Sequence, residues 1–331
     1  MKHLIIVLSV FIAVPVLSGS HAKQIEKVVA SGKDDGLKIE ANVAFTEGPA
    51  WHAPSKSVFF TDLFNSRILR RDAVGAIHTY RIQSNRTNGL AFDRLYRLVA
   101  CESANTRRIT RTELDGTITV LADNYKGFRF NSPNDLAIDS RGRIYFTDPR
   151  YGSREDMQIL ADDGTAIEGV YRIDGDGLVH QVLGLEVQRP NGIALSDDER
   201  HLFIADHASG RANGNRVLWR FDLGSDGSVD RSSQTSLFDW GNSGSDRGPD
   251  GMCIGPDGRL YVTAGLNFSD SPEMVSMKYP AGVYVIDPGG EGLLDFIPCP
   301  TDVITNCTFG GDTGSTLFIT AGHRLFSVEI E

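Results

Sequence analysis

Six polar residues recur at corresponding places along the 331-residue chain: Glu47, Asn88, Asn134, Asn191, Asp250 and Asn306. Each opens a short apolar run, and Gly follows four of them. Their side chains offer only carboxylate and carboxamide oxygens, a hard donor set that suits calcium better than zinc or copper. A single Asn-Gly is more often a turn than a ligand, because Asn tolerates positive φ and Gly supplies it freely. Six such residues in one register, two of them acidic, point instead to a shared polar centre. Burying Glu47 and Asp250 together without a cation is costly, since like charges in one desolvated site cannot both stay ionised. A divalent cation held this way supports hydrolysis, by polarising a carbonyl and stabilising the oxyanion that forms on it.

What must bring these residues together is a repeat. After each opener comes a turn and a second apolar run: VFFTD to Asp62, LVACE to Glu102, IYFTD to Asp148, LFIAD to Asp206, LYVTA to Ala264 and LFITA to Ala321. Opener and run end lie 14 or 15 residues apart in all six copies. Runs rich in Val, Ile, Tyr and Phe with Gly-containing turns between them are up-and-down antiparallel strands. Third strands follow (RILRRD, RRITRTELDG, GVYRIDGDG, RVLWRFDLG, GVYVIDP, RLFSVEI), and fourth strands fit before the next opener. Openers recur every 41 to 59 residues, a propeller spacing with loop insertions.

The expected fold is therefore all-β: one six-bladed β-propeller of four antiparallel strands per blade over 23–331. The last copy ends after three strands, so a strand from the alternating segment 25–43 should complete it. Innermost strands line the channel, so the openers should form a ring. A hairpin of this length returns its end to the same mouth, which also brings Asp62, Glu102, Asp148 and Asp206 there. Loops at about 150–168, 207–216 and 266–281 are expected to cover it and set specificity.

Composition narrows the partners. Acidic residues outnumber basic ones 43 to 33, for a net charge of −10, and no Lys/Arg tract exists. Nucleic acid and anionic lipid are disfavoured. Lys2, the apolar run Leu4 to Leu17 and Ser20-His21-Ala22 read as a signal peptide over 1–22. The run is short of the roughly 20 apolar residues of a spanning helix, so an exported, periplasmic or secreted protein without stable membrane association is expected. Cys101 and Cys253 lie within strand-like runs and read as buried small hydrophobes, while Cys299 and Cys307 are left as a pair that could bond. No GxSxG elbow, HExxH helix or P-loop occurs.

The segments TEGPAWH (46–52), TNGLAFD (87–93), RFNSPNDLAID (129–139), YFTDPRYG (145–152), RPNGIALSDDER (189–200), GPDGMCIGPDGRLYVTA (248–264) and TNCTFGG (305–311) together resemble the SMP-30/gluconolactonase/LRE-like family, which includes regucalcin and bacterial gluconolactonases. The resemblance covers essentially the whole chain after residue 22. It implies a six-bladed propeller whose cation, Ca2+ with Zn2+ or Mn2+ as alternatives, is held by Glu47, Asn191 and Asp250. Asn134 then lies beside the metal or its water and contacts substrate, with Arg129 a weaker carry-over. Where family members often have His and Gly after the CE of blade two, this chain has Ser103 and Ala104. Asp250 either serves as general base or orients an attacking water that the cation has acidified. Asp148 and Tyr151 of the DPRYG stretch stand as substrate contacts or supports, Asp148 alternatively as an acceptor of backbone hydrogen bonds. The implied activity is metal-dependent hydrolysis of a small-molecule lactone, a sugar lactone such as gluconolactone. The alternatives are a non-catalytic calcium- or ligand-binding propeller and a paraoxonase-like esterase.

Overall fold

Alternating apolar residues of the second strand in each repeat have nowhere to go but between neighbouring sheets, and the structure packs them so. The computed structural model describes residues 36–103, 105–208, 211, 214–241, 247–266 and 279–331; the expected signal peptide and residues 23–35 lie outside them. Six four-stranded antiparallel sheets account for nearly all of the strands. In the first, Thr46–His52 is innermost, followed by Ser57–Asp62, Arg67–Arg71 and Ile77–Arg81. The other inner strands are Thr87–Phe92, Leu136–Ile138, Pro190–Leu195, Gly248–Ile254 and Ile304–Gly310. The last sheet holds Ile304–Gly310, Thr316–Ala321 and Arg324–Glu329, and Lys38–Asn42 is added antiparallel along its outer edge. The expected closure by an N-terminal strand is thus found.

Burial explains the order of the strands. Ser57–Asp62 is buried at every position, whereas Ile77–Arg81 is exposed or half-buried throughout. Among the described residues the core consists of six apolar clusters, each spanning two neighbouring blades. Phe59 and Ile68 of blade one meet Leu90 and Leu98 of blade two, and Val99 and Ile109 meet Phe146 and Tyr171 of blade three. Phe318 and Leu325 of blade six close the circle on Val58 and Phe60 of blade one. Such interfaces bury apolar area between neighbouring sheets. Thr305 Oγ1, donating to Thr46 O at 3.0 Å, ties the last inner strand to the first.

All four cysteines are thiols. Cys307 Sγ lies 3.6 Å from Cys253 Sγ, as two thiols. Cys253 and Cys307 sit on adjacent inner strands, Gly248–Ile254 and Ile304–Gly310, and Cys299 packs against the same apolar cluster. Cys101 is fully buried as a small hydrophobe, and Cys253 only half-buried.

Candidate active site

Inner strands are not regular where the openers lie. The ladder between first and second strand shifts register at Glu47/Ala50, Thr87/Leu90, Pro190/Ile193 and Pro249/Met252, and such bulges re-aim side chains at a rim. The glycine after an opener makes room for the next blade. A Cβ on Gly192 would overlap the backbone carbonyl oxygen of Asp250, and one on Gly48, which also has φ +42°, would overlap that of Asn88. Threonines of the second strands lock the same junctions: Thr147 Oγ1 donates to Asn191 O at 2.5 Å and Thr61 Oγ1 to Asn88 O at 3.2 Å.

All six openers are buried at 4 to 7% exposure, and the structure brings Glu47, Asn191 and Asp250 together. Burial drives the Asp250 carboxyl well above its ordinary range, the Glu47 charge raises it further, and a hydrogen bond from Asn191 opposes the rise. Burial and the charge of Asp135 push Glu47 up to about 8. Asp135, itself pushed up to about 6 by burial, accepts a hydrogen bond from Asn306 Nδ2 at 3.0 Å. Three carboxyl groups therefore share a desolvated hub, where their charged forms oppose one another. Asn88 Oδ1 is buried there with no hydrogen-bond partner. An all-oxygen donor set, mutually repelling carboxylates and an unsatisfied amide oxygen fit a hard divalent cation. No cluster of three or more His, Cys, Asp or Glu with metal-binding geometry occurs among the described residues.

Above the hub opens a cavity of about 820 Å3 with Glu47, Asn88, Asn134, Asn191 and Asp250 on its lining. Tyr151 also lines it; its hydroxyl accepts from Asn191 Nδ2 at 2.8 Å, and the Arg189 guanidinium lies 5.4 Å from its ring centroid. Burial, then the Asp250 charge, raises this phenol well above its usual range. The segment carrying Tyr151 is fixed by Glu168, fully buried, whose carboxylate accepts from Arg150 N at 2.6 Å and Arg189 Nε at 3.1 Å and pairs with Arg154 and Arg211.

Two expected site residues lie elsewhere. Asp148 is fully buried off the cavity lining, its oxygens accepting from Asn131 N at 2.8 Å and Ser132 N at 2.7 Å. It anchors the chain just before Asn134, as a backbone acceptor. Asp62 and Asp206 do the same for 44–45 and 188–189, and Glu102 collects Arg81, Asn85 and Arg108. The acidic run ends thus stand near the mouth as braces for the inner strands. Arg129 is also off the lining, bound to Asp156 at 3.2 Å; Arg107 and Arg150, which share Asp156 with it, do reach the cavity.

Other lining residues had no place in the expectation. Asn85, Arg86 and Arg107 come from blades one and two, whereas only 150–151 of the expected covering loops contribute among the described residues. Residues 209–210, 212–213 and 267–278 of those loops lie outside the description. Asp135 did leave a sequence signal: it stands where Gly48, Gly89, Gly192 and Gly251 follow four of the other five openers.

The family model for the SMP-30/gluconolactonase/LRE-like region matches residues 45–323. The chain belongs to this family. Among its SMP-30/gluconolactonase/LRE-like relatives, a gluconolactonase of Zymomonas mobilis is 32% identical over 311 residues, covering 88% of this chain and 80% of that one. A lactonase of Staphylococcus epidermidis is 27% identical, over 89% of this chain and 86% of its own. The solved structure of a gluconolactonase from Xanthomonas campestris superposes with a TM-score of 0.72 at 31% identity, covering 89% of each chain.

Proposed function

We propose that the protein hydrolyses a lactone, a sugar lactone such as gluconolactone, in a metal-dependent reaction with calcium as the ion. The observation that carries this reading is the meeting of Glu47, Asn191 and Asp250 in a buried oxygen-only hub at the base of an open cavity. A structural ion alone needs no cavity with further polar groups aimed into it. The names of the Zymomonas and Staphylococcus relatives support the same reaction class.

Glu47, Asn191 and Asp250 would hold the cation, which supplies Lewis-acid polarisation of the lactone carbonyl. Asp250 takes a proton from the attacking water as its oxygen bonds to the acyl carbon, and the ring C–O bond breaks. The departing alkoxide then receives that proton, giving a hydroxy acid. Asn134 on the lining contacts the substrate. Tyr151 keeps the Asn191 amide oriented, and the inner strands hold Glu47, Asn191 and Asp250 at the hub. Export, with residues 1–22 removed as a signal peptide, belongs to the same proposal and rests on the sequence of that segment.

The decisive experiment follows lactone ring opening by the purified protein with calcium and with chelator. Turnover should require the ion and vanish in Asp250→Ala with the β-sheet spectrum retained. Chelator-insensitive turnover, or full activity in Asp250→Ala, would refute the assignment.

A further inference from the structure

The cavity wall is chemically lopsided. On blade one Phe45 and Phe64 give it an apolar stretch, their ring centroids 4.8 Å apart, beside the uncharged polar Ser66, Gln83 and Asn85. Across blades two and three it is basic, with Arg86, Arg107 and Arg150. The only carboxylates on the lining among the described residues are Glu47 and Asp250, at the hub. A basic rim on a chain of net charge −10 is not the average of its surface.

Counterions leave that charge unbalanced. Among the described residues Asp156 is the ion-pair partner of Arg107 at 2.5 Å, Arg150 at 3.0 Å and Arg129 at 3.2 Å, and the buried Asp148 carboxylate adds an attraction to Arg107. Two carboxylates for three guanidinium groups still leave a positive excess. Arg107 is 7% exposed, yet its Nε is buried without a hydrogen-bond partner, which is costly unless something else accepts from it. Arg86 is exposed, and its guanidinium has no acidic partner among the described residues. Its backbone is fixed: Arg86 N donates to Ser66 Oγ at 3.2 Å, and Arg86 O accepts from Ser103 Oγ at 2.6 Å. The Ser103 bond joins the segment carrying Arg86 to the loop carrying Arg107, so the two cations stand on one braced edge.

We propose that this edge is a subsite for an anionic substituent, and that the substrate is a sugar lactone bearing a carboxylate, sulfonate or phosphate away from the scissile ester. Arg86 and Arg107 would take the anion through charge-assisted hydrogen bonds, as planar forks suited to such groups, while the apolar wall meets a face of the ring. This rests on the lactonase reading and adds the substrate class. Ring opening of any lactone creates a carboxylate, so only a second, permanent anion tests the subsite.

The experiment compares matched pairs: glucono-1,5-lactone with its 6-phosphate, and galactono-1,4-lactone with the corresponding aldaric monolactone. The wild-type kcat/KM should favour the charged member by about tenfold or more and lose that preference as salt rises. Arg86→Gln should cut the ratio of charged to neutral kcat/KM by about tenfold, with Arg86→Lys between the two. Equal use of both members by the wild type, or an unchanged ratio in both Arg86→Gln and Arg107→Gln, would overturn the subsite. Calorimetric binding of sorbitol 6-phosphate against neutral sorbitol, which differ only in the phosphate, keeps the matter separate from catalysis. If no lactone is opened, tighter binding of the anion that weakens in Arg86→Gln still supports the subsite while the lactonase reading fails; equal binding sinks both.

Discussion

Asn191 donates its amide nitrogen to the Tyr151 hydroxyl at 2.8 Å and also to the Asp250 carboxyl, and together these two partners hold the carboxamide with its oxygen left as the donor atom. An amide free to flip offers nitrogen half the time, and nitrogen-bound hydrogens repel a cation. Partners of this kind are worth about 10- to 100-fold in metal affinity when removed. Tyr151→Phe should therefore weaken calcium binding by about tenfold, measured by calorimetric titration, with little change in the melting of the chelated protein. An unchanged affinity would mean that the phenol does not orient Asn191.

Gly192 sits against the carbonyl of Asp250, where a Cβ has no room. Gly192→Ala forces two inner strands apart, and overpacking of this kind costs about 1–3 kcal/mol. Chemical denaturation should report a loss in that range together with weaker calcium binding, because Asn191 and Asp250 move with the backbone. Gly175→Ala is the control: its Cβ meets nothing within 4 Å, so the change should stay within about 0.5 kcal/mol. Equal effects at the two positions would show that close approach at the hub is not what Gly192 provides.

This difference between hub and rim also explains what could be read from the sequence. The ring of six openers was legible because the repeat fixes them in one register and a circular fold brings equal registers to one place, whereas the choice of Glu47, Asn191 and Asp250 among them came from the family resemblance. The closing strand followed from a blade one strand short. Asp148 was legible only as a residue near the mouth, since its position cannot say whether it faces the channel or the backbone of Asn131 and Ser132. Arg86 and Arg107 lie outside the repeated runs, with φ of 51° and 46°. Their direction is set by individual loop geometry, which leaves no periodic trace. Glu168 was hidden for the same reason, its four arginine partners being scattered from 150 to 211.

Glu168 gives a prediction of its own. Its fully buried carboxylate is the shared partner of Arg154, Arg189 and Arg211 and also accepts the Arg150 N–H. Removing one member of a buried ionic cluster leaves the others uncompensated. Glu168→Ala should destabilise the protein by at least about 2 kcal/mol and loosen Tyr151, whose ring lies under Arg189. Calcium affinity should then fall as in Tyr151→Phe, and the double variant should bind no more weakly than Glu168→Ala alone. Additive losses in affinity would mean that Glu168 does not act through Tyr151.

Stability in the absence of metal should depend on pH in a sense opposite to that of an ordinary salt-bridged carboxylate. Burial raises Glu47 from 4.5 to about 8 and Asp135 from 3.8 to about 6. Between the unfolded and folded values the native state holds more protons than the unfolded chain, so stability is full below about pH 4 for these groups and is lost as pH rises through about 6 and then about 8. Chelated protein should accordingly melt at a lower temperature at pH 8 than at pH 5. A cation competes with those same protons, so calcium should raise the melting temperature more at pH 8 than at pH 5. Asp148, pushed up to about 7 by burial, contributes a background slope that calcium does not reverse. Glu47→Gln separates the two: it should abolish the calcium-dependent shift and flatten part of the pH dependence, leaving the Asp148 portion. A chelated protein whose stability holds or climbs from pH 5 to pH 8, or a Glu47→Gln variant that still responds fully to calcium, would show that the hub carboxylates are not where the cation binds.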